Sequence, residues 1–300
     1  MIMKKILPLL FVLLFFVCSC KKDPDNTAKT VTIKKDANEN YNISLLLDLS
    51  DRISLAKNPN PTMEYYQRDL GYIKSVAETF TQHLKVKKIK QMDDKIQLFF
   101  NPEPLDPAIN SISASLKIAV DKNNASKDFL NSINKNYAAK TSKIYNSAIK
   151  DDNYIGSDIW NFFDTKVKDQ CVEDKYRNIL IVLTDGYMFH ENTVVTEGKR
   201  TSYITPELIR KNGLNTQNWK KKFDEQDFGF IKIEGNLSNL EVLVLGINPD
   251  KKNPYEEKVI KAYWTKWFTE MNIKHFEITN ADLPSNMEKI IQDFILKKPN

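Results

Sequence analysis

Cysteine is scarce in this 300-residue chain: there are three, two of them close together as Cys18 and Cys20. That excludes a disulfide scaffold and leaves Cys171 as a lone downstream thiol, read as a packing residue. Histidine is equally scarce, at positions 83, 190 and 275. His190 is followed by Glu191, but Val194 stands where a zinc peptidase motif needs its second histidine, so His190 reads as a rim residue. There is no G-K-[ST] phosphate loop and no G-x-S-x-G nucleophile elbow, which removes two large enzyme classes. Neither sign of charge dominates. The 44 basic and 39 acidic residues are mixed along the chain, so no surface is set aside for nucleic acid. Internal repeats and low-complexity runs are also missing.

What is present begins with the N-terminus. Lys4 and Lys5 precede an apolar run from Ile6 to Val17, interrupted by Pro8 and too short for a permanent membrane span. The run ends in "VCSC", which resembles the lipobox of bacterial lipoproteins, with Val17 at −3, Ser19 at −1 and Cys20 as the acylated residue. Cys18 fits less well as acceptor, since it would put Val17 where a small residue is wanted. Residues 1–19 are therefore expected to be a signal peptide. The resemblance implies a thioether-linked diacylglycerol and an N-acyl chain on Cys20, more than stable anchoring requires. Residues 20–40 are polar and read as a flexible tether. Lys21 is not the aspartate that commonly retains lipoproteins in the inner membrane, so the resemblance implies the outer membrane, at its periplasmic face or the cell surface. Cleavage before Cys20 removes Lys4 and Lys5 and leaves 42 basic against 39 acidic residues.

Beyond residue 40, continuous apolar runs alternate with amphipathic stretches. "NISLLLDL", "NILIVLTD" and "LEVLVLGI" are apolar on both faces, as strands at the centre of a covered parallel sheet should be. "KIQLFF" and "KHFEI" are expected to flank them. Helices are predicted over 65–84, 127–150 and 254–271, with Pro254 at a first helical position, and over a last segment with a Ser285/Glu288 capping box. The pattern predicts an α/β fold: a doubly wound, mostly parallel sheet with helices on both faces. One domain over 41–297 is expected, with insertions at about 101–125 and 187–235. The second insertion reads as a hairpin followed by a helical excursion.

Two strand runs end in carboxylates, as "LLLDLSDR" and "LIVLTDG", and ligands of such sheets collect at the carboxyl ends of strands. The ordered set Asp48-Leu49-Ser50, Gly156-Ser157-Asp158 and Thr184-Asp185-Gly186 resembles the von Willebrand factor A (vWA, integrin I-like) family. The likeness extends over roughly 40–297. It implies a metal-ion-dependent adhesion site with Asp48, Ser50, Ser157 and Asp185 as ligands, Ser157 standing where threonine is usual. Asp51, Arg52, Asp158, Thr184 and Gly186 would be its neighbours. Mg²⁺, or Mn²⁺, is the implied cofactor. Mg²⁺ wants about six oxygens and keeps some waters, leaving a position for a partner's carboxylate.

Arg52 departs from the family's D-x-S-x-S pattern. Its guanidinium donates but accepts nothing, so it cannot coordinate a cation. Three placements are open. Arg52 turns to solvent while water or Asp51 fills the vacancy; or it faces the partner as a fork for an acidic group; or it sits among Asp48, Asp158 and Asp185 in place of the ion. A cation and a guanidinium ~4 Å apart repel by ~4 kcal/mol at an effective dielectric near 20. The expected function is a membrane-anchored, non-catalytic module recognising a protein or peptide. The alternatives are a metal-free docking subunit of an envelope assembly and a metal-assisted hydrolase using Asp48 and Asp185.

Overall fold

A computed structural model describes residues 39–297. The expectations for the signal peptide, for Cys20 and for nearly all of the tether lie outside these residues. Among the described residues no helix is long and apolar enough to cross a membrane.

The chain forms β1 (Asn40–Leu47), α1 (Tyr65–Val86), β2 (Asp93–Phe100), α2 (Pro107–Ala114), β3 (Ile118–Asp121) and α3 (Lys127–Asp151). Then follow α4 (Ile159–Thr165), α5 (Val167–Cys171), β4 (Tyr176–Leu183), the short β5 (Thr196–Glu197) and β6 (Arg200–Thr201), α6 (Pro206–Lys211) and α7 (Trp219–Glu225). The last elements are β7 (Gly229–Phe230), β8 (Leu240–Ile247), α8 (Glu256–Glu270), β9 (His275–Asn280) and α9 (Pro284–Leu296).

The main sheet has six strands in the order β3-β2-β1-β4-β8-β9, parallel except for β3. The three long apolar runs are its central strands, because only there are both faces covered. On one face Ile43, Leu45, Ile181 and Leu243 pack against Ile73, Val76, Phe80, Ile144 and Ile291 of α1, α3 and α9. On the other, Leu180, Val182 and Val244 meet Phe162, Ile260, Trp264, Trp267 and Phe268 of α4 and α8. The fold is α/β, doubly wound and Rossmann-like, as the sequence pattern predicts. The aromatic stripe of α8 is core: Trp264 and Trp267 are fully buried. So is Cys171, whose thiol burial pushes up to about 12.

Several details differ from expectation. The helix after Pro254 starts at Glu256, capped from Tyr255. In α9 the N-cap is Leu283, with Pro284 at the first position, so Ser285 lies inside the helix and makes no capping box. The 101–125 stretch contains α2 and the antiparallel edge strand β3, which was not foreseen as part of the sheet. In 187–235, β5 and β6 form the hairpin, β7 joins them in a small sheet, and α6 and α7 supply the helical excursion.

Strand order reverses direction at β1, where β1 and β4 run side by side with Leu47 opposite Leu183. That is where an open α/β sheet parts its loops and leaves a crevice. At the opposite end, Tyr41 stands beside Arg177. Arg177 donates to the carbonyls of Phe294, Ile295 and Lys297 and so holds the end of α9 next to the start of β1.

Candidate ligand-binding cleft

The crevice is a cleft of about 820 Å³ whose lining includes Ser50, Asp51, Glu103, Ser157, Asp185 and His190. Three of the four expected cation ligands therefore share one wall system, although they come from three separate loops. The fourth, Asp48, is buried just past β1, held by its N–H to the Leu183 carbonyl at 3.0 Å. Its Oδ1 accepts from the Ser50 N–H at 2.9 Å and its Oδ2 from the Thr184 hydroxyl at 2.8 Å.

Thr184 and Gly186 shape the loop after β4. The Thr184 hydroxyl also accepts from the Gly186 N–H, and Asp185 Oδ1 accepts from the Tyr187 N–H at 3.0 Å. Gly186 has φ +96° and lies so close to Ile247 and Ile260 that a Cβ would not fit. Burial, together with Asp48 nearby, pushes the Asp185 carboxyl up to about 7.

The middle motif is fixed from two sides. The Ser157 N–H bonds the Phe189 carbonyl at 2.8 Å, and the Asp158 N–H bonds that of Asn101 at 2.9 Å. Asp158 caps α4 through Oδ1, which accepts from the Asn161 N–H. The Ser157 hydroxyl is buried and has no hydrogen-bond partner. Such an orphan costs free energy unless a ligand satisfies it.

Of the three placements considered for Arg52, the observed one is nearest the third, with the guanidinium buried against Asp48. Its side chain is 4% exposed, so it faces neither solvent nor a partner. It meets Asp48, as the third placement supposes, but its closer carboxylate partner is Asp69. The guanidinium turns beneath the loop, where Nη2 meets Asp69 Oδ2 at 2.5 Å and the Leu183 carbonyl at 3.2 Å. Nε donates to the Asp48 carbonyl at 3.0 Å and lies 3.5 Å from Asp48 Oδ2. Burial opposes the charge, but Asp69 and Asp48 outweigh it and raise the Arg52 pKa. Tyr145 of α3 adds a bond to the same Asp69 oxygen at 2.8 Å.

Asp69 is the residue that sequence reasoning missed. The signal was available, since position 69 lies one turn before Ile73 on the buried stripe of α1, where a carboxylate requires a partner.

The residues present fit a divalent cation on two observations: the unpartnered Ser157 hydroxyl, and the charge balance. Arg52 pairs with both Asp69 and Asp48, which leaves Asp185 as a cleft carboxylate without an ion pair among the described residues. Among the described residues no three His, Cys, Asp or Glu side chains gather as a metal cluster, so the donor set depends on serine hydroxyls.

Fold and site together define a doubly wound α/β domain with a cleft of mixed polar and apolar lining at the carboxyl ends of its strands. No family model matches the chain, and no curated protein matches it. Among solved structures it is similar to an aerotolerance-related membrane protein from Bacteroides fragilis NCTC 9343, at 12% identity and TM-score 0.38, over 85% of this chain and 98% of that one. It is also similar to the conserved hypothetical protein BatB from Bacteroides thetaiotaomicron, at 11% identity and TM-score 0.38, over 85% and 97%. A third is the pilus adhesin SpaC from Lactobacillus rhamnosus GG, at 12% identity and TM-score 0.36, over 87% of this chain and 30% of that one. At such identities and TM-scores function has to be argued from the cleft itself.

Proposed function

We propose that this chain is a vWA-like, lipid-anchored and non-catalytic binding module of the cell envelope. It captures a protein or peptide partner in the cleft through Mg²⁺ or Mn²⁺ held by Asp48, Ser50, Ser157 and Asp185. The observation that carries this reading is the buried, unpartnered Ser157 hydroxyl on the wall it shares with Asp185. When bound, the cation would offer an open coordination position to a carboxylate of the partner.

This chain's own residues supply the rest. Thr184 and the Ser50 N–H orient Asp48. Asp69 draws the Arg52 charge below the cleft. Placement at the outer membrane rests on Cys20 and Lys21. A second reading, the metal-free docking subunit, is favoured by one observation: Arg52 already sets a positive charge 3.5 Å from Asp48.

Calorimetric titration of the mature chain with Mg²⁺ and Mn²⁺ separates the two. Binding is expected in the wild type and is expected to weaken at least about tenfold in Ser157→Ala, the loss of one ligand. Heat and melting temperature that ignore both ions in both proteins would leave the metal-free subunit as the reading. For the anchor, Cys20→Ser is expected to move the protein from the membrane fraction to the soluble one. Retention of the variant in the membrane would show that the lipobox assignment is wrong.

A further inference from the structure

The run Lys85-Val86-Lys87-Lys88-Ile89-Lys90 closes α1 and leads into β2, at the end of the sheet opposite the cleft. It is mostly lysine and contains no acidic residue. Val86 and Ile89 are 53% and 54% exposed, with Lys85, Lys88 and Lys90 exposed beside them. Single apolar residues scattered on a surface mean little, but two large ones interleaved with lysines make a patch that is apolar and cationic at once. Leu105 and Phe189, also exposed, belong to the cleft instead.

Lys87 fixes where the patch sits. It turns inward, and its Nζ donates to Asp94 Oδ2 at 2.6 Å, to Asn40 Oδ1 at 2.7 Å and to the Glu39 carbonyl at 3.0 Å. The run is thereby fastened to the point where the chain enters β1. Lys87 also takes up the charge of Asp94, so that buried carboxylate does not offset the exposed lysines. Asp93 is the next exposed acid in the chain, a single charge against their three.

We infer that Val86, Ile89 and the exposed lysines around them form a docking patch for the anionic phospholipid surface to which the chain is anchored. The inference rests on the lipid-anchored reading proposed above. On that reading Cys20 is held in the bilayer, and residues 21–38 reach at most roughly 65 Å, so the end of the domain carrying Glu39 stays near the headgroups. Apolar side chains flanked by lysine suit that boundary. Valine and isoleucine enter the headgroup layer, while lysine stems lie along it and the ammonium groups meet phosphate. Each lysine near an anionic surface strengthens partitioning about fivefold. Docked this way, the 22-residue α1 lifts the cleft roughly 30 Å from the bilayer.

The test uses the mature chain as Cys20→Ser, so that no lipid contributes. Vesicles are of phosphatidylcholine alone, or of equal parts phosphatidylcholine and phosphatidylglycerol. Cosedimentation is expected with the second and not the first, and is expected to fall as salt rises. Lys85→Glu/Lys88→Glu/Lys90→Glu should bind at least about a hundredfold more weakly, three lysines at about fivefold each. Its urea midpoint should not move, because all three side chains are exposed. A fluorophore sensitive to polarity, placed on Ile89→Cys, should shift to the blue on the anionic vesicles; Cys171 is buried and does not compete for the label. Equal binding to both vesicles, no binding to either, or binding unchanged in the triple variant overturns the inference. A dimer in sedimentation equilibrium that Val86→Ser/Ile89→Ser dissolves, without vesicle binding, overturns it too and gives the patch to a second copy of this chain. Docking of this kind is released by salt, so Cys20→Ser retained in salt-washed membranes tells against the anchor, and the vesicle result against the patch.

Discussion

Arg52 shows how one side chain changes meaning with its partner. As a sequence letter it breaks a ligand pattern. In the fold it joins β1, β4 and α1 through Asp48, Leu183 and Asp69. Both members of the Arg52–Asp69 pair are buried, so removing one leaves the other as an uncompensated charge. Arg52→Met is expected to cost about 3–5 kcal/mol in urea unfolding. The double variant Arg52→Met/Asp69→Asn should recover part of that loss, because no stranded carboxylate remains there. Equal losses in the single and double variants would refute the coupling. Nothing local to "DLSDR" foretold this geometry, since Asp69 lies 17 residues away and its burial depends on α1 packing against the sheet.

At the level of elements, the seat of α9 on α1 depends on a missing side chain. A Cβ at Gly71 would strike the ring of Pro284, which sits in the first turn of α9 and has little freedom to move. Gly71→Ala is expected to destabilise by about 1–3 kcal/mol, as overpacking does, despite the better helix propensity of alanine. A gain in melting temperature would contradict this contact. The same junction shows what was legible. Long elements announced themselves by period, so β1, β4, β8, α1 and α3 were readable from apolar spacing alone. Ends were less so: Ser285 and Glu288 have the spacing of a capping box, yet Pro284 fixes the first helical position and moves the cap to Leu283. Strand β3 was missed because four residues on an antiparallel edge carry too little pattern to outweigh their loop-like flanks.

For the molecule as a whole, acid stability follows from carboxylates at the end of the sheet opposite the cleft. Asp94 is buried, but bonds from His83, Lys87 and the Tyr41 N–H hold its carboxyl below the usual range. Glu241 is lowered likewise, with Arg177 and His275 outweighing burial. Folded pKa values below the unfolded ones, about 3.9 for Asp and about 4.3 for Glu, mean that this stability is present above pH ~4 and lost as pH falls through the folded values. The urea midpoint is therefore expected to drop between about pH 4.5 and pH 2, and Asp94→Asn should flatten that limb. A midpoint flat across the window would count against both pairings. At the same end Arg177 clamps the close of α9 beside the opening of β1, so entry and exit of the domain lie together, with the length of the sheet between them and the cleft. That arrangement makes the domain a graftable unit: it can be hung from a surface, spliced into a host loop, or have its two ends joined and reopened elsewhere, with the cleft left unobstructed each time.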